Sequence, residues 1–181
     1  MIRVCLAFLL VLAWPACAAD DPLSPAANAA WLAANAKKPA TVVRASGLQY
    51  RVLRAGFGRK LGPDDVARLS YSVSLIDGQV VEKTTPVLPA ALAVNAVSLA
   101  GLAEALSLMR EGDHWQLAVP ANLGFGPKAA MNGAVPPGQT LVLDVTVIAT
   151  APPQAGQAAP DNPLSVWSNG REAGGAITIR P

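Results

Sequence analysis

Apolar and polar side chains alternate in the middle of the chain. Between residues 67 and 75 every second side chain is apolar: Ala67, Leu69, Tyr71, Val73 and Leu75. Because successive side chains of a β-strand point to opposite faces, this period predicts a strand with one buried and one solvated face. Asp77 and Gly78 then predict a hairpin turn, and residues 80–82 predict the returning strand.

A second pattern, with the period of a helix, follows farther along. Four apolar side chains are separated by three, four and three residues: Leu99, Leu102, Leu106 and Met109. This spacing places them on one stripe of an α-helix. We expect Ser98 to cap the start of that helix and Gly112 its end. Strand periodicity then returns twice: Trp115, Leu117 and Val119, followed by Leu141, Leu143, Val145 and Val147.

One short helix among several strands predicts an α+β fold. A sheet with one apolar face must bury that face, and the stripe of the helix is the partner that the sequence offers. We therefore expect a curved antiparallel β-sheet of five to six strands wrapped around one short α-helix. This domain is expected at 46–150, after a short helical or linker segment at 19–45 and before a Pro/Ala-rich linker and tail at 151–181.

The first 18 residues have the composition of an export signal. Arg3 is followed by an apolar run at 4–13 and by small residues that end at Ala18, which predicts cleavage after Ala18 and a periplasmic protein. The apolar run is well short of the ~20 residues that span a bilayer as a helix. Cleavage would remove both cysteines, Cys5 and Cys17, so the mature chain would hold no thiol. Lipid anchoring at Cys17 is the alternative.

Charge and composition exclude several classes of function. The formal net charge is +2, with 14 basic and 12 acidic residues that are dispersed along the chain, and this argues against nucleic-acid binding. His114 is the only histidine, so no cluster of His and Cys indicates a metal site. The Gly-Phe-Gly triplets at 56–58 and 124–126 lack the spacing of phosphate-binding loops. We expect no metal, no cofactor and no membrane span.

A series of short blocks occurs in a fixed order between residues 46 and 148. They are SGLQY at 46–50, DG at 77–78, GLAEAL at 101–106, VP and GFG at 119–126, VPP at 135–137 and LVLDV at 141–145. In order and spacing these blocks resemble the bacterial FKBP-type peptidyl-prolyl cis-trans isomerases of the macrophage infectivity potentiator kind. The N-terminal region is truncated by comparison. Because longer relatives dimerise through an extended helical arm, the resemblance implies a monomer here.

The resemblance also implies an activity and the residues that carry it. Its substrates would be X-Pro bonds in unfolded or proline-containing polypeptides, and the reaction needs no cofactor. Tyr71 matches the tyrosine of the family's first long strand, Glu82 replaces the aspartate after the hairpin, and Phe125 replaces the loop tyrosine and lacks its hydroxyl. These three are the expected catalytic residues. The expected substrate-binding residues are Val81, Val97, Leu99, Leu102, Val135 and Leu143.

Several aromatic walls of the family's proline pocket are replaced in this chain. Leu102 stands where the family has the tryptophan of the pocket floor, and Leu143 where it has a phenylalanine. Val97 and Leu99 align with the family's Val-Ile pair, whose backbone amide binds the substrate carbonyl, if Ser98 is an inserted residue. Alternating Val and Leu on a sheet also form ordinary core, so a structural role stays open for these positions.

Two functions therefore remain open from the sequence. One is an exported prolyl isomerase whose activity is weakened by the lost aromatic side chains. The other is a noncatalytic chaperone or peptide-binding module of the cell envelope that keeps the fold.

Overall fold

The computed structural model describes residues 21–84 and 87–152. The predicted export signal at 1–18 and the tail from residue 153 onward lie outside the described residues. The described chain forms two helices and seven strands: α1 (Pro25–Ala36), β1 (Val42–Val43), β2 (Gln49–Arg54), β3 (Val66–Ser74), β4 (Val80–Lys83), β5 (Ala90–Ala93), α2 (Ala100–Leu108), β6 (His114–Val119) and β7 (Leu141–Ala151).

The strands form one antiparallel sheet. Its order is β1-β2-β6-β7-β3-β4, and β5 pairs with β3 beside this path. The α+β fold is thus confirmed, with more strands than the five to six expected. One of the additional strands, Val42–Val43, is only two residues long, so alternation within it cannot reveal it.

The inner face of the sheet packs against α2. Along β3 and β7 the predicted apolar sets are buried, and Leu102 and Leu106 of α2 join the same core. The helix lies close to β6, because a Cβ atom on Gly101 would approach Val119 Cγ1 to 2.6 Å. A glycine at this position allows the helix and the strand to come that near.

Helix α2 is shorter than the sequence pattern predicts. It begins at Ala100 with Leu99 as its N-cap residue and no side-chain cap, and it ends at Leu108. The prediction that Ser98 and Gly112 cap the helix is therefore wrong. The chain leaves the helix early because the Arg110 amide donates to Asp113 Oδ2 at 2.6 Å and residues 109–111 pair with residues 58–61, the segment before β3.

Helix α1 lies on the opposite, outer face of the sheet. Asn28 donates through its side-chain amide to Gln139 Oε1 at 3.0 Å and accepts from the Thr140 amide at 2.8 Å. Two turns farther along the same face of α1, the Asn35 side-chain amide donates to Gln49 Oε1 at 2.9 Å. The Gln49 side-chain amide in turn donates to the Leu32 carbonyl. Side-chain amides thus fix the helix to the start of β7 and to β2.

Candidate functional site

The polar centre of the site is a pair of side chains on β3 and β4. The hairpin turn holds Gly78 at a φ of +91°, and β4 returns beside β3 as predicted, with Glu82 opposite Val73. Tyr71 is 2% exposed, and its hydroxyl donates to Glu82 Oε1 at 2.6 Å. Two of the three predicted catalytic residues are therefore in direct contact.

The surroundings keep Tyr71 protonated. The pKa of Tyr71 is raised far above the ordinary value of 10.0. Burial is the largest cause, and the hydrogen bond to Glu82 and the negative charge of Glu82 add to it, because each disfavours the phenolate. The second carboxylate oxygen, Glu82 Oε2, is buried and has no hydrogen-bond donor within residues 21–84 and 87–152. The pair thus combines a neutral hydroxyl with a carboxylate oxygen that keeps an unused acceptor.

Thr84 is a site residue that the sequence pattern missed. Its hydroxyl oxygen accepts from the Tyr71 amide at 2.8 Å, and its own amide donates to the Tyr71 carbonyl at 2.8 Å. The Thr84 hydroxyl also donates to that carbonyl at 3.3 Å. Thr84 thus holds the backbone of Tyr71 in place. The sequence could have indicated Thr84 through its position in the hairpin, because the turn at Asp77 and Gly78 sets the pairing of β3 with β4 and places Thr84 opposite Tyr71.

An apolar shell surrounds the Tyr71 side chain. The structure brings five of the predicted substrate-binding residues into the same buried cluster as Tyr71, with exposures of 9% or less: Val97, Leu99, Leu102, Val135 and Leu143. Val81 and Phe125 are partly buried and pack against this cluster. Such burial also fits an ordinary core, so the substrate-binding role of these side chains stays a prediction.

The loop between β6 and β7 carries Phe125. It is fixed at its base by a hydrogen bond from the Gly126 amide to the Ala121 carbonyl at 2.9 Å, and by another from the Gly138 amide to the Gly126 carbonyl at 2.9 Å. Farther along, Met131 has a φ of +53° and is 6% exposed. Sequence patterns gave no sign that Met131 would be buried among the predicted site residues.

Backbone donors lie at the start of α2. Leu99 is the N-cap residue and makes no side-chain cap hydrogen bond. The first amides of a helix have no partner within the helix itself.

The described residues offer no alternative metal chemistry or membrane-spanning helix. Within 21–84 and 87–152 no three His, Cys, Asp or Glu side chains are grouped so that they could hold a metal ion. None of the helices in those same ranges has both the length and the hydropathy to cross a bilayer.

Comparison with known proteins shows the family of the chain. A family model for the FKBP-type peptidyl-prolyl cis-trans isomerases matches residues 58–148. The outer membrane protein MIP of Legionella longbeachae is 41% identical over 120 residues, which cover 66% of this chain and 51% of that protein. The FKBP-type 22 kDa peptidyl-prolyl cis-trans isomerase of Escherichia coli K12 is 38% identical over 119 residues, or 65% of this chain and 57% of the relative.

Solved structures give the same result for the fold. A peptidyl-prolyl cis-trans isomerase from Pseudomonas syringae pv. tomato matches with a TM-score of 0.64 at 25% identity, covering 70% of this chain and 92% of that one. FkpA from Escherichia coli matches with a TM-score of 0.64 at 28% identity, covering 70% of this chain and 59% of that one. The chain spans about half the length of the curated relatives it matches. On the family match and the fold together, this chain belongs to the FKBP-type peptidyl-prolyl cis-trans isomerase family.

Proposed function

We propose that this protein is an exported prolyl isomerase that accelerates rotation about X-Pro bonds in unfolded or proline-containing polypeptides. The observation that carries the proposal is the hydrogen bond of 2.6 Å between Tyr71 and Glu82. It lies against an apolar cluster in a chain that belongs to the FKBP family. The proposed site needs no nucleophile, no metal and no cofactor, because the reaction breaks no covalent bond.

The chemistry follows from the electronic structure of the amide. Amide resonance keeps the X-Pro bond planar and sets a rotation barrier of about 18–20 kcal/mol. An apolar site disfavours the charge-separated planar form, and fixed donors that meet the carbonyl as it twists stabilise the transition state. Val81, Leu102, Val135 and Leu143 would supply the apolar surface, while Tyr71 and Glu82 would orient the peptide.

The hydrogen-bond donors of the proposed site predict an isomerase activity weaker than that of relatives with the loop tyrosine. Phe125 lacks the hydroxyl that the family's tyrosine brings to the site, so one donor to the twisted carbonyl is missing. The uncapped amides beside Leu99 would be the remaining donors. Loss of a single donor of this kind costs an enzyme about 2.7–4 kcal/mol of transition-state stabilisation in well-studied cases. Restoring it with Phe125→Tyr is expected to raise the isomerisation rate.

A second candidate is a noncatalytic peptide-binding module with the same fold. The observation that favours it is the burial of the expected pocket residues: Leu102 and Leu143 are 0% exposed and Val135 is 1% exposed. A proline ring can contact these side chains only if the cover over them moves. A binding module would instead hold apolar or proline-containing segments near the partly buried Phe125 and Val81.

Isomerisation of short X-Pro peptides tests the proposal directly. The spontaneous reaction takes tens to hundreds of seconds at 25 °C, so a modest acceleration is measurable. We expect the purified protein to accelerate it and Tyr71→Phe to reduce the acceleration, since that change removes the hydroxyl bonded to Glu82 and keeps the ring. Tyr50→Phe is the matched control, because Tyr50 is the only other tyrosine. Absence of acceleration for any peptide would leave the binding module.

Export and oligomeric state need separate measurements. We propose cleavage after Ala18, release into the periplasm, and a monomer in solution. Intact mass of the protein from the cell envelope distinguishes an N-terminus at residue 19 from an acylated Cys17. Sedimentation of the same sample gives the number of chains, and a stable dimer would contradict the proposed monomer.

A further inference from the structure

The loop between β2 and β3 presents an aromatic ring to solvent. Phe57 is 97% exposed, and it lies between Gly56 and Gly58 at the apex of the segment at 54–60. We call this segment the Phe57 knob. An exposed phenylalanine makes no contribution to the core, and neither the proposed isomerase site nor the sheet uses it.

The knob is held rigidly. The Gly56 amide donates to Asp113 Oδ1 at 2.6 Å, and the Gly58 amide donates to the Glu111 carbonyl at 3.1 Å. A side chain at Gly56 would overlap the backbone of residues 111–113, and a Cβ atom on Gly58 would lie 2.5 Å from Glu111 Cβ. The two glycines therefore permit close packing that fixes the loop with its one large apolar side chain pointing outward.

Basic residues flank Phe57 along the chain. The knob contains Arg54, Arg59 and Lys60 and no acidic residue. A fourth basic residue, Arg110, lies beside Lys60, because the backbones of these two residues form an isolated antiparallel β-bridge. All four basic residues are exposed. Arg59 forms an ion pair with Asp65 at 2.9 Å, whereas the other three have no carboxylate partner within residues 21–84 and 87–152.

Backbone amides bind three of the four oxygens of the two neighbouring carboxylates. Glu111 Oε1 accepts from the Thr150 amide at 2.6 Å, and the two oxygens of Asp113 accept from Gly56 and Arg110 at 2.6 Å each. Asp113 is 5% exposed. Asp113 is thus buried and fully bonded, whereas Glu111 keeps its second oxygen beside the knob, 2.9 Å from the position that a Cβ atom on Gly58 would take. The exposed basic residues in and beside the knob still outnumber this one carboxylate.

We propose that the Phe57 knob docks this protein on an anionic lipid surface. A convex knob with one ring does not fit a peptide, which needs a groove, but it can enter the deformable interface of a bilayer. Aromatic rings favour that interface, and basic side chains beside the ring are attracted to anionic headgroups. Arg54 donates to the Gly112 carbonyl at 3.2 Å and keeps its charge. A single ring with three cations that have no carboxylate partner among the described residues gives weak, reversible association. The proposal is independent of isomerase activity.

Flotation with vesicles tests the proposal on the protein in the form that cells produce. Vesicles of phosphatidylcholine with phosphatidylglycerol should bind the protein, and binding should weaken with salt and with phosphatidylcholine alone. Phe57→Ala should reduce the affinity about tenfold or more, and a Lys60→Gln, Arg110→Gln double variant should reduce it roughly fivefold for each lost charge. Phe57→Trp should retain binding.

The control removes an exposed apolar side chain elsewhere. Val43 is 53% exposed, and Val43→Ala should bind as the unmodified protein does. Unchanged flotation of Phe57→Ala, or no flotation of the unmodified protein, would overturn the proposal. The proposal would also be overturned if Phe57→Ala lost binding to an unfolded polypeptide in the absence of vesicles, because the knob would then bind a protein partner. Far-ultraviolet circular dichroism of each variant confirms that it is folded.

Discussion

The two faces of the sheet are held to their helices by different forces. On the inner face α2 contributes Leu102 and Leu106, both 0% exposed, and the contact is almost wholly apolar. On the outer face α1 is fixed by side-chain amides of Asn28 and Asn35. The inner contact gains free energy from removing apolar area from water, whereas the outer contact depends on matching each donor with an acceptor.

This difference changes how each face tolerates substitution. An apolar contact loses stability roughly in proportion to the buried volume removed, and neighbouring side chains can adjust to part of the loss. An amide network has no such adjustment, because a removed amide leaves its buried partners without hydrogen bonds. The inner face should therefore respond to size and the outer face to the identity of single polar groups.

The largest effect is expected at the centre of the inner face. Leu102→Ala should lower the free energy of unfolding by about 2–5 kcal/mol, since it leaves a cavity at a fully buried position. Denaturant unfolding measures the change. The matched control is Leu53→Ala, because Leu53 is 43% exposed and should lose less than about 1 kcal/mol. A loss at Leu102 as small as that at Leu53 would show that Leu102 borders an open pocket.

The next effect is expected where α1 meets the start of β7. The Asn28 side-chain amide donates to the Leu23 and Ser24 carbonyls and to Gln139, and its oxygen accepts from the Thr140 amide. Asn28→Ala removes these bonds at a position that is 4% exposed, and should cost about 1–3 kcal/mol. Hydrogen exchange should show α1 losing protection before the sheet. Asn95→Ala, at an exposed site, should change neither measurement.

The inner face could be read from the sequence, because its signal is periodic. The alternation along β3 and β7 and the stripe through Leu102 and Leu106 follow directly from strand and helix geometry. The order of short blocks then identified the family, and with it Tyr71 and Glu82 as residues of the expected site, although their hydrogen bond was seen only in the structure.

The outer face and the loops could not be read in the same way. A buried Asn28 and a solvated asparagine look alike in a sequence, since only the distant Gln139 and Thr140 make the first one buried. Burial of Met131 likewise depends on a left-handed backbone conformation, which a pattern of apolar residues does not predict. The early end of α2 likewise depends on a contact that apolar periodicity does not show. The Asp113 side chain accepts from the Arg110 amide and so turns the chain away from the helix.

A smaller effect concerns the polar contact between Tyr71 and Glu82 on the inner face. The pKa of Tyr71 is raised above 10.0 in the folded protein, so the unfolded chain releases that proton at a lower pH than the folded one. Stability from this group is present below about pH 10 and falls as the pH rises beyond it, by up to about 1.4 kcal/mol per pH unit. Titration of the unfolding free energy should show this slope.

Two variants separate this contribution from the other groups that titrate at high pH. Tyr71→Phe should show a shallower loss of stability above pH 10 than the unmodified protein, since the substituted side chain has no proton to release. Tyr50→Phe should keep the full slope if the slope belongs to Tyr71. Equal slopes for the unmodified protein and Tyr71→Phe would mean that the Tyr71 hydroxyl is not buried against Glu82 in solution.

The smallest effect is expected on the solvated part of the outer face. His114 Nε2 lies 2.6 Å from Asp144 Oδ1, and the two side chains are 32% and 43% exposed. Because water and salt screen such a pair, its coupling free energy in a double-mutant cycle with His114→Ala and Asp144→Ala should be below about 1 kcal/mol. It should fall further at high salt. A coupling as large as the loss at Asn28 would mean that exposed polar contacts, as well as buried amides, hold the outer face together.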